Sequence, residues 1–418
     1  MIDLSNLDWK KIGLVAGFIA VAVIAAYLIY ALFFVSPTIA PPDDETVDPG
    51  QLPIGQEGEQ PGVITPETTT DTTLPTDKVT RIPAPDSGVD QVAQGGVTAI
   101  TDLDYNISKN ITLNQNGSDL ISYNPGEGKF YTIDDSGNKY ELSDKVYKDV
   151  ENIAWAQTNE AAILEFPDGS NVYYNFEEDR QITLPKDWTE FNFNASSNQI
   201  AYKDMNRMED YRFIGIANPD GSGIKYLEPI GGSENDFDVS FSSTGQVVAT
   251  YNKGSTKDTT RMYFVGKYGE EFVPIELQGY GVESQWAPDG KRLIYSAHNE
   301  YTEHKPELYI VNALGGDAGS GHQSLGLQTW ADKCTFQNTS TMYCAVPKEL
   351  PYGADYFPET ADEIADYIYK VDLETGVKTF IAEPEYEYTI EQLKVSEDGE
   401  TLFFTDKATE SLHSIKLK

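Results

Sequence analysis

Apolar residues fall into two patterns in this chain, divided near residue 97. Before that point stands one unbroken apolar run, Ile12 to Val35, then a long stretch with no apolar clustering. After it, short apolar segments recur, each bounded by Gly, Asn, Asp, Ser or Pro. Segments too short for helices and rich in β-branched and aromatic residues read as strands, and the bounding residues as turns. The clearest unit is Trp286-Ala-Pro-Asp-Gly-Lys-Arg-Leu-Ile-Tyr-Ser-Ala297. It predicts a strand ending on an aromatic, a tight turn and a second apolar strand. Pro288 presets φ, Asp289 caps the turn through its side chain, and Gly290 accepts positive φ.

Six further stretches align on the large apolar residue before the turn. The anchors are Leu113, Trp155, Phe193, Phe241, Trp286, Phe336 and Val395, at intervals of 42, 38, 48, 45, 50 and 59 residues. A second strand follows each turn, as in Leu120-Ile-Ser-Tyr123, Val247-Val-Ala-Thr-Tyr251 and Leu402-Phe-Phe404. A period in the forties with about four short strands per copy predicts an all-β, seven-bladed β-propeller of four-stranded antiparallel blades. One such sheet cannot bury both faces alone, and stacking the sheets around an axis does so. The propeller is expected over residues 97–418. The last repeat is one strand short, so the run Val97 to Leu103 is expected to supply its outer strand and close the ring.

The N-terminal part reads differently. Residues 1–11 form a short tail carrying Lys10 and Lys11, and residues 12–35 are 24 positions without a charge, long enough to span a bilayer. The next basic residue is Lys78, which predicts a cytoplasmic N-terminus and a propeller outside the membrane, periplasmic or at the cell surface. Residues 36–96 hold ten Pro, ten Thr, eleven acids and no aromatic residue, the composition of a disordered linker. Cys334 and Cys344 flank the turn after Phe336, one on each arm of a hairpin, and are expected to be bonded.

Charge narrows the function. With 67 Asp/Glu against 30 Lys/Arg the chain carries −37, which excludes a nucleic-acid partner. The Pro288-Asp289-Gly290 turn after an aromatic, and Ser396-Glu-Asp-Gly399 before Leu402-Phe-Phe404, resemble the WD-like propeller repeats of the TolB family. Similar repeats occur in the propellers of prolyl-oligopeptidase-type peptidases. The resemblance spans residues 97–418, with one close copy at Trp286. It implies a bacterial protein-binding platform in the cell envelope and carries over no catalytic residue.

Loops between second and third strands emerge on the rim opposite the Asp-Gly turns. The long ones are Lys203 to Asp210, Asn252 to Thr260, His298 to Pro306, and Pro347 to Ala365. Insertions gathered on one face of a repeat array mark its binding face. Candidate contact residues there are Arg207, Lys253, Lys257, His298, His304, Tyr352, Tyr356 and Phe357. The aromatics suit a protein or sugar contact, or alternatively pin the loop. Two His in one loop fall short of a metal centre, which needs three or four donors. No nucleophile elbow, phosphate-binding loop or cofactor motif occurs. The expected function is a membrane-tethered platform for an envelope protein or surface polymer. The alternatives are a carbohydrate hydrolase or lyase using carboxylates in the channel, and a structural part of an envelope complex.

Overall fold

The computed structural model describes residues 88–158, 161–256 and 258–418. Seven sheets follow one another along the chain. Blades 1 to 5 span residues 109–141, 152–184, 188–229, 237–278 and 280–324, each with four antiparallel strands in chain order. Blade 6 spans 334–384, and blade 7 spans 390–416. Six of the seven anchors end the first strand of their blade, and Phe241 stands two residues past Phe237–Val239. The turns are those the sequence dictates. The Asp289 carboxylate accepts from the amides of Lys291 (2.9 Å) and Arg292 (3.0 Å), and Gly290 takes a φ of 64°.

The core is not central but divided among the seams between blades. Seven apolar clusters occupy the seven seams, and each contains or packs against one anchor. The second strands are sandwiched on both faces, which explains why they are continuous apolar runs rather than alternating ones. In blade 7, Leu402 and Phe404 face the seam with blade 6, while Phe403 faces blade 1. Each such ring or aliphatic chain contributes about 1.5–3 kcal/mol on burial.

Ring closure follows the expectation with one change. The run Val97 to Leu103 divides between two blades. Thr101–Asp104 is the outer strand of blade 7, antiparallel to Leu412–Lys416. Gly96–Thr98 instead adds a fifth strand to blade 6, parallel to Lys378–Pro384. Residues assigned above to the linker join this seam: Asp90 bridges Thr98, and the Ala93 amide donates to the Lys416 carbonyl (2.8 Å).

Two predicted loops need correction. Asn252 to Thr260 is not a loop, because the backbone ladder runs on through Asn252–Met262, Lys253–Arg261 and Gly254–Thr260, making one long hairpin. Lys203 lies in the strand Ile200–Asp204 and is buried. Cys334 and Cys344 are directly paired across the hairpin, 4.1 Å apart at Cα, and bonded. No helix among the described residues is long and apolar enough to cross a membrane. The expected span 12–35 and the linker up to residue 87 lie outside the described residues.

Candidate binding face and channel

First strands line the central channel, and their period of two sorts their side chains. Anchors, and in six of the seven blades the residues two before them, belong to the seam clusters. The residues one before the anchors are Thr112, Ala154, Asn192, Ser240, Gln285, Thr335 and Lys394, all half-buried. Further toward the long-loop rim stands an acidic layer. Glu190, Asp238 and Glu283 lie three residues before their anchors, and Asp332 and Glu391 four before theirs. Asp332 sits in the tight turn Ala331–Lys333, and Glu391 in the bulge between Ile390 and Leu393. Glu190 itself takes a left-handed φ of 55°.

A cavity of about 560 Å³ runs between these layers, lined by Glu283, Gln285, Asp332, Glu391 and Lys394 among others. A smaller pocket of about 160 Å³ opens above it at the loop-side mouth, walled by Trp330, Pro358, Ala361 and Ile390 over the same three acids. Glu283 is reached by water, yet the ring encloses it. That loss of bulk solvent, with the charges of Asp332 and Asp355, pushes its carboxyl up to about 7. Enclosure also raises Asp332, against the opposing charges of Lys333 and Lys407. It raises Asp238 with help from Glu190, while Lys203 opposes. Lys203 meets Glu190 at 2.6 Å. Lys394 is shifted the other way, its ammonium disfavoured by enclosure.

The loop 348–365 of blade 6 stands over this mouth. Leu350, Ala354 and Ala361 seat it on Trp330. Its aromatics Tyr352, Tyr356 and Phe357 remain 73, 54 and 59% exposed. The ring of Tyr356 packs against His298 (4.5 Å) and His304 (5.0 Å), and Tyr352 against His304 (5.5 Å). His304 Nδ1 lies 3.2 Å from the Tyr356 hydroxyl.

His298 is not the exposed loop residue the sequence predicts. It ends the strand Arg292–His298, is buried, and pairs through Nδ1 with Asp355, leaving Nε2 enclosed without a partner among the described residues. Gly281, at φ 61°, makes room for this pair, since a Cβ there would meet Asp355 Oδ2 at 2.5 Å.

Five candidate contact residues thus converge on blades 5 and 6: His298, His304, Tyr352, Tyr356 and Phe357. Arg207 is exposed on the rim of blade 3, and Lys253 on the blade 4 hairpin lies over the rings of Tyr251 (5.4 Å) and Tyr263 (5.8 Å). Lys257 lies outside the described residues. The channel acids were missed by the sequence reading, although stepping back three residues from each anchor finds Glu190, Asp238 and Glu283.

The class of protein these features define is a seven-bladed β-propeller with an acid-lined channel. No family model and no curated protein sequence matches the chain. Among solved structures, it is similar to the β-propeller domain of Cps50 (Swd1) from Myceliophteria thermophila. The alignment covers 76% of this chain and 99% of that one, at a TM-score of 0.51 and 10% identity. An oligogalacturonate lyase in complex with manganese aligns over 78% of this chain and 99% of its own (TM-score 0.49, 10% identity). The tricorn protease aligns over 76% and 34% (TM-score 0.47, 10% identity). The likeness to the Cps50 domain bears on fold alone.

Proposed function

We propose that this protein is a membrane-tethered platform whose long-loop face binds an envelope protein or a surface polymer outside the cytoplasmic membrane. The observation that carries the reading is the outward set Tyr352, Tyr356 and Phe357 on a loop that other residues already seat. Exposed aromatics beside an acidic mouth favour a partner offering apolar surface and positive charge. The Cys334–Cys344 bond supports an oxidising compartment. The apolar run 12–35, with Lys10 and Lys11 on one side only, supports a tether with the propeller outside. The TolB-like turns support the same compartment and a bacterial source.

The test is capture from solubilised envelope with the full chain and with a Tyr352→Ala/Tyr356→Ala/Phe357→Ala variant. Recovery of the bound protein or polymer is expected to fall at least about tenfold, as the loss of a hot-spot cluster would give. Equal recovery refutes the assignment of the face. Protease accessibility of the propeller in intact cells tests the topology.

A second reading, a glycan hydrolase or lyase, is favoured by one observation: Glu283, raised to about 7, stands beside Asp332 in the channel mouth. It expects Glu283→Gln to reduce any glycan cleavage by about 10² or more. The platform reading expects the same variant to leave capture within about twofold, as for a group outside the hot spot.

A further inference from the structure

Cations around the channel are nearly all neutralised. Lys203 pairs with Glu190, Lys333 with Asp366, and Lys407 with Asp362. Lys394 is the exception: among the described residues its ammonium has no ion-pair or hydrogen-bond partner. Its own layer is otherwise uncharged (Thr112, Ala154, Asn192, Ser240, Gln285, Thr335). The nearest acids up the channel are Glu391, Glu283 and Asp332, and Glu391 is three residues away along the strand, roughly 10 Å or less. An enclosed cation without a counter-charge is costly, so such a group is a candidate for a ligand-binding role.

Below Lys394 the channel opens on the turn-side rim, opposite the long loops. This mouth is a cavity of about 630 Å³ formed by the first turns of blades 1, 2, 6 and 7. That volume lies within the range of small-molecule sites. Its wall is chemically distinct from the loop-side mouth. Gln157 and Gln337 bring side-chain amides, and the seam residues Trp155 and Phe336 complete the wall. Trp155 is fixed, its indole N–H donating to the Asn110 carbonyl (2.6 Å) and its ring stacked on Phe176 (5.7 Å). One acid, Glu397, stands at the rim, lying against Gly117.

We propose that this turn-side mouth binds a small hydroxylated carboxylate, a sugar acid, with its carboxylate on Lys394. Amides match hydroxyl groups, and an aromatic wall matches the C–H surface of a pyranose ring. The direction of entry is set by charge. From the loop side a carboxylate must pass the acidic layer, whereas from the turn side it passes one acid, Glu397, before reaching Lys394. The site shares no residue with the Tyr352/Tyr356/Phe357 cluster, so it stands or falls separately from the platform reading.

Titration calorimetry of the full chain with glucuronate, glucose and acetate tests this. Glucuronate is expected to bind at least tenfold more tightly than either comparator. Lys394→Met should weaken it at least tenfold and Lys394→Arg should retain it, while the triple aromatic variant leaves it unchanged. Equal binding of glucuronate to Lys394→Met and wild type, with both folded by thermal melting, overturns the proposal. So does glucose or acetate binding as tightly as glucuronate, or no glucuronate binding at tens of millimolar.

Discussion

At the scale of single residues, the mouth is held by one buried ion pair. Lys333 Nζ lies 2.8 Å from both oxygens of Asp366, and Asp366 Oδ2 also accepts from the Ile390 amide (2.7 Å), which ties blade 6 to blade 7. Burial raises the Asp366 carboxyl although Lys333 opposes it, so desolvation outweighs the partner's charge. Removing only the cation therefore strands a buried carboxylate. Lys333→Met is expected to cost about 3–5 kcal/mol, read by denaturant unfolding, and adding Asp366→Asn should recover most of it. Recovery by the double variant separates the stranded charge from simple loss of packing. Neither partner could be paired by inspection of the sequence, being 33 residues apart. The same holds for His298 and Asp355, 57 apart, whose pairing turns an apparent loop histidine into a buried one.

Whole strands and turns were far more legible. Each anchor and its turn is local chemistry, and each anchor reaches its seam. Closure was legible as well, because the last repeat lacks a strand and the run before the first repeat has strand character. What failed was register and extent. A polar stretch such as Asn252-Lys-Gly-Ser-Thr256 reads as loop, but cross-strand hydrogen bonds rather than side chains decide where a hairpin ends. The channel acids were hidden for another reason: among 67 Asp/Glu, only the phase of the anchors picks out those facing the axis. The closing strand has its own lock, since His413 Nδ1 meets Asp102 Oδ1 at 2.8 Å and its ring packs on Tyr388 (4.6 Å). Deleting residues 97–103 removes this strand and frees an edge. The melting temperature should fall by at least about 5 °C, equivalent to a few kcal/mol in a chain of this size. An unchanged melting curve would mean the ring closes without it.

The molecule as a whole carries a strained distribution of charge. Five of its seven inner strands send a carboxylate to one level of the channel, and enclosure raises at least Asp238, Glu283 and Asp332 there. The consequence for stability has a definite sign. Glu283 has a folded value near 7 against an ordinary value of 4.5, so between those limits the folded chain binds more protons than the unfolded one. Stability from this group is full below about 4.5 and lost as pH rises through 7. His413 works oppositely. Burial lowers it from 6.5 despite Asp102, so its contribution is present above 6.5 and lost as pH falls. Between pH 6.5 and 8 the raised channel acids should make stability fall as pH rises. Wild type is expected to melt slightly lower at pH 8 than at pH 6.5, the effect being limited because water reaches Glu283 and screens its neighbours' charge. A Glu283→Gln/Asp332→Asn variant should show a shallower fall over that range and melt higher at pH 8. A variant that keeps the wild-type slope would show that bulk water and counter-ions already neutralise the ring, and would remove the electrostatic basis for a cation-seeking mouth.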